Sequence, residues 1–251
     1  MNLNGNTILI TGGATGIGLA LVEELLAHKN NRIIICGRRE SRLLEVQAKY
    51  PEVIIKVCDA TDAEQRKALA EWVGERYPDI NVLINNAGIQ NSIDFSGGAD
   101  ELESAESEIE VNLTAPVHLS GLFVPLLSGK PNAAIINISS GLAIVHSVKF
   151  PVYCATKAGI HVFSRCLREQ LAPVGIKVFE ALPPAVQSEL NPTGRAEVPA
   201  SNYMPADIYA RSVIEGLESG TFEINNQYVE QLQDSSLRDV YAYFLDRSRP
   251  R

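Results

Sequence analysis

Thr7-Ile8-Leu9-Ile10-Thr11, followed directly by Gly12-Gly13-Ala14-Thr15-Gly16-Ile17-Gly18, is the stretch that decides the fold. Five residues suited to a buried strand run into a glycine-rich turn, and residues 17–29 then carry apolar side chains at helical spacing. Glycine in such a turn lets the chain reverse sharply, brings the backbone close to a diphosphate and allows helix and strand to touch. The helix start adds free N–H groups and a favourable dipole for an anion. Gly12, Thr15, Gly16, Ile17 and Gly18 are therefore the candidate contacts to the diphosphate of a dinucleotide.

Outward from this unit the rhythm repeats. Residues 32–36 (RIIIC), 53–57 (VIIKV), 82–84, 134–138 and 176–179 read as buried strands, and 41–50, 63–77, 103–127 and 153–171 as amphipathic helices. Strands alternating with helices imply parallel pairing through right-handed crossovers. The expected architecture is α/β: one Rossmann-type doubly wound parallel sheet with helices on both faces, spanning 1–251. No internal repeat and no domain linker interrupts it. Two segments break the rhythm: the proline-rich 188–205, expected as a lid over a site, and a C-terminal extension at 225–251 with a helix-like run (228–245) and a basic end at Arg247, Arg249 and Arg251.

Composition narrows the partners. With 251 residues, 45% hydrophobic and 21% charged, the chain can bury a full core without disulfides or metal. A formal net charge of -8 argues against a broad nucleic-acid surface. Cys36, Cys58, Cys154 and Cys166 form no metal-ligand spacing and suit free thiols in a reducing compartment. The first residues lack a signal-peptide pattern, and no apolar stretch approaches the roughly 18–20 residues that span a bilayer. A cytoplasmic location, no metal and no membrane contact are expected.

The second strand ends in Cys36-Gly37-Arg38-Arg39. A cofactor with a free ribose 2′-hydroxyl is usually met there by an acid about 20 residues beyond the glycines. Guanidinium groups instead bind a 2′-phosphate bidentately. Arg38 first, Arg39 second and Arg42 as a flank favour NADP(H), with NAD(H) possible. Asp59 and Ala60 follow the third strand and can meet an adenine edge, although Asp62 is the better helix cap. After the fourth strand, Asn85-Asn86-Ala87-Gly88 is too small and polar for core; its amides can tie strand ends while Gly88 lets the backbone pass a ribose.

Tyr153 and Lys157 stand four apart in a helical stretch and share a face. A phenol of ordinary pKa about 10 is a poor catalyst at neutral pH, and a neighbouring ammonium is expected to lower it. Ser140, thirteen residues before Tyr153, can present a hydroxyl from a strand end. Such a Tyr–Lys pair also occurs on ordinary amphipathic helices; the company it keeps gives it meaning.

Taken in order, Thr11–Gly18, Asp59, Asn85–Gly88, Asn112, Ser140, Tyr153, Lys157 and 183–188 make the chain resemble the short-chain dehydrogenase/reductase family, in its short single-domain branch, over about residues 5–220. The wording of 140–153 and of Pro183-Pro184 is similar to a loosely characterised bacterial subgroup, the DltE-like oxidoreductases. The resemblance implies that Tyr153 exchanges a proton with a carbonyl or alcohol oxygen, that Ser140 orients that oxygen, and that Lys157 binds the nicotinamide ribose. Asn112 would hold a water at a helix irregularity, which Pro116 makes plausible by removing a helical N–H. The family's usual Pro-Gly is replaced by Pro183-Pro184, yet Pro183, Ala185, Val186 and Ser188 remain the expected nicotinamide contacts.

The expected activity is hydride transfer between NADP(H) and a small carbonyl or secondary alcohol. A non-catalytic NADP(H) sensor or scaffold, and an epimerase or dehydratase of related fold, are the rival readings. Residues 141–150 should line a pocket wall, with Leu142 and His146 as substrate contacts; Arg195 in the lid is a further basic group. The resemblance also implies a homodimer or homotetramer through 103–127 and 153–171.

Overall fold

Alternate residues of the strands serve opposite faces of one sheet. Leu9, Ile34, Leu83, Ile135 and Val178 stand side by side across five strands, and Ile10, Ile35, Ile84, Ile136 and Phe179 form the adjacent row. The first row belongs to one hydrophobic cluster and the second to the other, so each strand is buried on both sides. This is why the strands read as continuous apolar runs.

The structure is a computed structural model and describes residues 1–190 and 203–225. Seven parallel strands, β1 (Thr7–Thr11), β2 (Arg32–Gly37), β3 (Ile54–Val57), β4 (Val82–Asn85), β5 (Ala134–Ile138), β6 (Lys177–Ala181) and β7 (Glu223–Ile224), lie in the order β3-β2-β1-β4-β5-β6-β7. Helices α1 (Gly16–Leu26), α2 (Glu40–Lys49) and α7 (Ala206–Ser219) contribute to the cluster on one face. Those of α3 (Ala63–Arg76), α5 (Ala115–Leu127) and α6 (Pro151–Leu171) contribute to the other. The order reverses between β1 and β4, which opens a crevice beyond the carboxyl ends of those strands.

Several expectations need correction, but the helix irregularity expected at Asn112 is present: within 103–127, α4 (Leu102–Ile109) joins α5 through a π turn at Glu110–Thr114. Pro116 has no N–H to give the Asn112 carbonyl four residues earlier, which favours a wider turn there. The joined run Leu102–Leu127 is long and apolar enough, by length and composition, to cross a membrane, contrary to the reading of the sequence. In this fold its Leu119, Phe123 and Leu127 are core side chains. The helix α7 and the two-residue strand β7 were not anticipated. Most of the expected lid with Arg195, the 228–245 run and the basic end lie outside the described residues. All four cysteines are free, three of them buried.

β7 is too short to hold itself in place. Arg165 of α6 grips Glu223 with two bonds of 2.7 Å, and Arg168 adds a third at 3.3 Å. The Arg165 hydrogen bond leads in holding the Glu223 carboxyl down at about 2, below its ordinary 4.5. Stability from this group is therefore present above pH 4.5 and lost as pH falls towards 2. Because Arg165 is half exposed, screening reduces the gain, and Glu223→Gln should cost about 1–2 kcal/mol at neutral pH. Urea unfolding at neutral and acid pH checks this; the deficit should shrink in acid.

Candidate active site

The crevice holds a groove of about 1100 Å³ that receives both ends of the sequence motif set. At one end Gly12, Thr15, Gly16 and Ile17 line it with Arg38, Arg39, Asp59 and Ala60, and Ser188 lies directly against Gly16; at the other lie Ser140, Leu142, Tyr153, Lys157, Pro183, Ala185 and Val186. Asn86, Ala87 and Gly88 lie between them on the chain leaving β4.

The glycine turn is set by close approach. A Cβ on Gly18 would stand 2.3 Å from the Gly12 carbonyl oxygen and 2.5 Å from Asn86 Nδ2; one on Gly13 would reach Ile35 Cγ2 at 2.5 Å. Gly12 and Gly16 have φ of 64° and 54°, where side chains are strained. Asn86 Nδ2 donates to the carbonyls of Thr11 (2.9 Å) and Gly12 (3.1 Å), and Thr11 Oγ1 accepts from the Asn86 and Ala87 amides. These bonds lock the turn to the end of β4. Gly18→Ala should therefore lower stability by about 1–3 kcal/mol. That is several degrees of Tm at roughly 2–4 °C per kcal/mol. Gly121→Ala, on an exposed helical position with nothing within 4 Å, should leave the melting curve unchanged or raise it.

The arginines beyond β2 differ in their partners. Glu189 bridges Arg39 (2.9 Å) and Arg42 (3.2 Å), and Arg42 also pairs with Glu45 at 2.8 Å. Arg38 is exposed and has no ion-pair partner among the described residues. Asp59 Oδ1 accepts from the Thr61 amide and hydroxyl, both at 2.9 Å, while Asp62 caps α3. Gly-cradle, cationic strand end and groove together fit a dinucleotide diphosphate and a 2′-phosphate.

At the far end, Tyr153 and Lys157 are both buried on one face of α6. Lys157 Nζ donates to the Ile138 carbonyl (2.9 Å) and lies 5.6 Å from the Tyr153 ring centre. The Ser140 hydroxyl acts on the Tyr153 phenol, favouring its ionised form, and caps a short helical turn by accepting the Leu142 amide. Asn112 clasps Ile89 from both sides, accepting its N–H at 2.9 Å and donating to its carbonyl at 2.8 Å. Gly88 fits beside both, since a Cβ there would be 3.2 Å from Asn112 Oδ1 and 3.7 Å from Lys157 Nζ.

The electrostatics overturn one expectation. Burial pushes the Tyr153 phenol above its ordinary 10; the Ser140 hydroxyl opposes this, and Glu108 and Cys154 add to it. Burial likewise lowers Lys157 to about 8, against the pull of Glu108 and Glu180. Removal from water thus outweighs the ammonium one turn away. At neutral pH the phenol carries its proton.

Two other expectations change. His146 is exposed and is not among the groove-lining residues; Val145, Lys149 and Phe150 of the same segment are. The Ala185 carbonyl already accepts from the Met204 amide, and Gln187 N–H donates to the Met204 carbonyl, so Val186 and Met204 pair the two ends of the long loop. Sequence reading missed Gln90, Asn91, Leu190 and Tyr203 on the groove wall, and Glu108 behind it. For Glu108 a signal existed: it precedes Asn112 by one helical turn.

A parallel sheet whose first crossover is a glycine cradle defines a dinucleotide-binding α/β protein, and the buried Tyr–Lys pair narrows the class further. The family model for short chain dehydrogenases matches residues 6–198, and the chain belongs to that family of oxidoreductases acting on CH–OH or C=O groups. It is similar to an uncharacterized oxidoreductase, DltE, of Bacillus subtilis, at 46% identity over 97% of each chain. An NADP-dependent 3-hydroxy acid dehydrogenase of Schizosaccharomyces pombe is 28% identical over 75% of this chain and 74% of its own. A Burkholderia cenocepacia short chain dehydrogenase solved in complex with NADP superposes with a TM-score of 0.84 at 27% identity, covering 98% of this chain and 99% of that one.

Proposed function

We propose that the protein is an NADP(H)-dependent oxidoreductase that moves hydride between the nicotinamide and a small carbonyl or secondary-alcohol substrate. The observation that carries this reading is a buried phenol, still protonated, that lines with Ser140 the end of a groove whose other end presents a cationic cluster. The coenzyme supplies the hydride; everything else falls to the chain. Ser140 and Tyr153 orient the substrate oxygen. As that oxygen gains negative charge, Tyr153 gives it a proton, and in oxidation the phenolate takes one back. Lys157 holds the ribose hydroxyls and supplies positive charge to the tyrosinate, which offsets the burial that otherwise disfavours it. Asn112 keeps the chain at Ile89 fixed and stands at the π turn, where its carbonyl lacks the usual helical donor. Arg38, with Arg39 and Arg42 beside it, receives the 2′-phosphate, and Pro183, Val186 and Ser188 flank the nicotinamide.

A carbonyl panel assayed by NADPH absorbance tests the reading. Net NADPH consumption is expected with at least one carbonyl. Coenzyme binding with no net consumption across the panel would favour a sensor, and substrate conversion without it an epimerase or dehydratase. Self-association is a further part of the proposal, since Val117 of α5 and Val162 of α6 are exposed on the outer faces of those helices. Light scattering should give the mass of a dimer or tetramer; a monomer would refute it.

A further inference from the structure

Glu108 is a fully buried carboxylate that the mechanism above does not use. It lies on α4 one turn before Asn112, and the two side chains act together on one strip of chain: Asn112 clasps Ile89, and Glu108 Oε1 accepts the Asn91 amide at 2.9 Å. That strip, 88–91, forms part of the groove wall. The second oxygen, Oε2, is buried with no hydrogen-bond partner. A carboxylate needed only to pin a loop has no reason to bury an unpaired oxygen, because an amide or a hydroxyl would accept the same bond at lower cost.

Charged and titratable neighbours give this carboxylate a purpose. From α6 Glu108 acts electrostatically on Lys157, Tyr153 and Cys154; the loop after β4 offers it the Asn91 amide. On its own helical run, Glu110 is turned to Arg66 at 2.7 Å. We propose that Glu108 is a positioning residue of this site, which fixes the groove wall at 89–91 and whose charge controls that of the Tyr153–Lys157 pair. This rests on the roles given to Tyr153 and Lys157 above. With Glu108 ionised, Lys157 is held as ammonium and the phenol is held as phenol. With Glu108 neutral, both constraints relax. Burial raises this carboxyl from 4.5 to about 7, against the Asn91 bond and the Lys157 charge, so the change of state falls near neutral pH.

Glu108→Gln separates the two roles, since it keeps an acceptor for Asn91 and removes the charge. Infrared difference spectra, wild type minus Glu108→Gln, should show a carboxylic C=O band that disappears as pH rises through about 7. In a Lys157→Met background the midpoint should move upward, because the favourable cation is gone. No titrating band near neutrality, or the same midpoint in both backgrounds, would overturn the proposal. Thermal unfolding gives a check on folding and on sign. The unfolded carboxyl ionises near 4.5 and the folded one near 7, so Glu108→Gln should gain on wild type across that interval.

Turnover supplies the functional arm, with NADPH and 9,10-phenanthrenequinone as the probe. Wild type should show a limb of kcat/KM near neutral pH, and Glu108→Gln should lack it. Glu108→Leu, which leaves the Asn91 amide without its acceptor, should raise KM for the quinone by about tenfold over the Gln variant. An unaltered pH profile in Glu108→Gln refutes the charge role. If wild type does not reduce the quinone, the oxidoreductase reading suffers, and the infrared titration still judges Glu108.

Discussion

Tyr153→Phe should reduce turnover by a factor of about 10²–10⁴, the usual range for a positioned general acid or base, while coenzyme affinity stays unchanged. The substitution removes one oxygen. The ring stays on the buried face of α6, and Ser140 keeps its cap on the Leu142 amide. Stability should fall little, because any lost interaction with Ser140 is offset by burying one polar group fewer. Steady-state kinetics beside NADPH titration makes the comparison. Equal loss in kcat and kcat/KM is the expected signature of a group acting only in the transition state. Undiminished turnover would mean that another group delivers the proton.

Arg38→Asp should have the second-largest effect, and on binding rather than on rate. Arg38 is the guanidinium of this cluster without a carboxylate partner among the described residues, whereas Glu189 already engages Arg39 and Arg42. A charge-assisted bond to a 2′-phosphate contributes about 1.5–3 kcal/mol. The introduced carboxylate adds repulsion, so NADP affinity should fall by about 100-fold. The same carboxylate can accept from a ribose 2′-hydroxyl, so NAD affinity should rise. Calorimetric titration of both coenzymes against both proteins decides. If neither affinity moves, the phosphate is read elsewhere.

Much of this was legible in one dimension because its causes are local. Thr7–Thr11 reads as a strand since every residue is buried, and the glycines after it announce a turn whose tightness the Gly18–Gly12 approach explains. The Tyr153–Lys157 face follows from helical spacing alone. What escaped is tertiary. Spacing identified the ammonium beside Tyr153 but not the depth at which both lie, and depth decides the direction of the shift. Glu189 meets Arg39 across 150 residues. β7 has two residues and depends on arginines from α6, so no periodicity could reveal it. A glutamate on a helix ordinarily reads as a wet face; the one hint in the sequence is that Glu108 shares a helix face with Asn112, and packing shows that it is dry. His146 failed for the converse reason: its segment lines the groove, but its own side chain is exposed.

The central claim is that one buried phenol serves a pyridine nucleotide lying in the groove. A crystal structure of the protein with NADP tests it most directly. The account predicts the nicotinamide ring beside the Tyr153 hydroxyl, its ribose on Lys157 Nζ and the 2′-phosphate on Arg38. A nicotinamide bound with the Tyr153 oxygen facing away from its reactive carbon would contradict it.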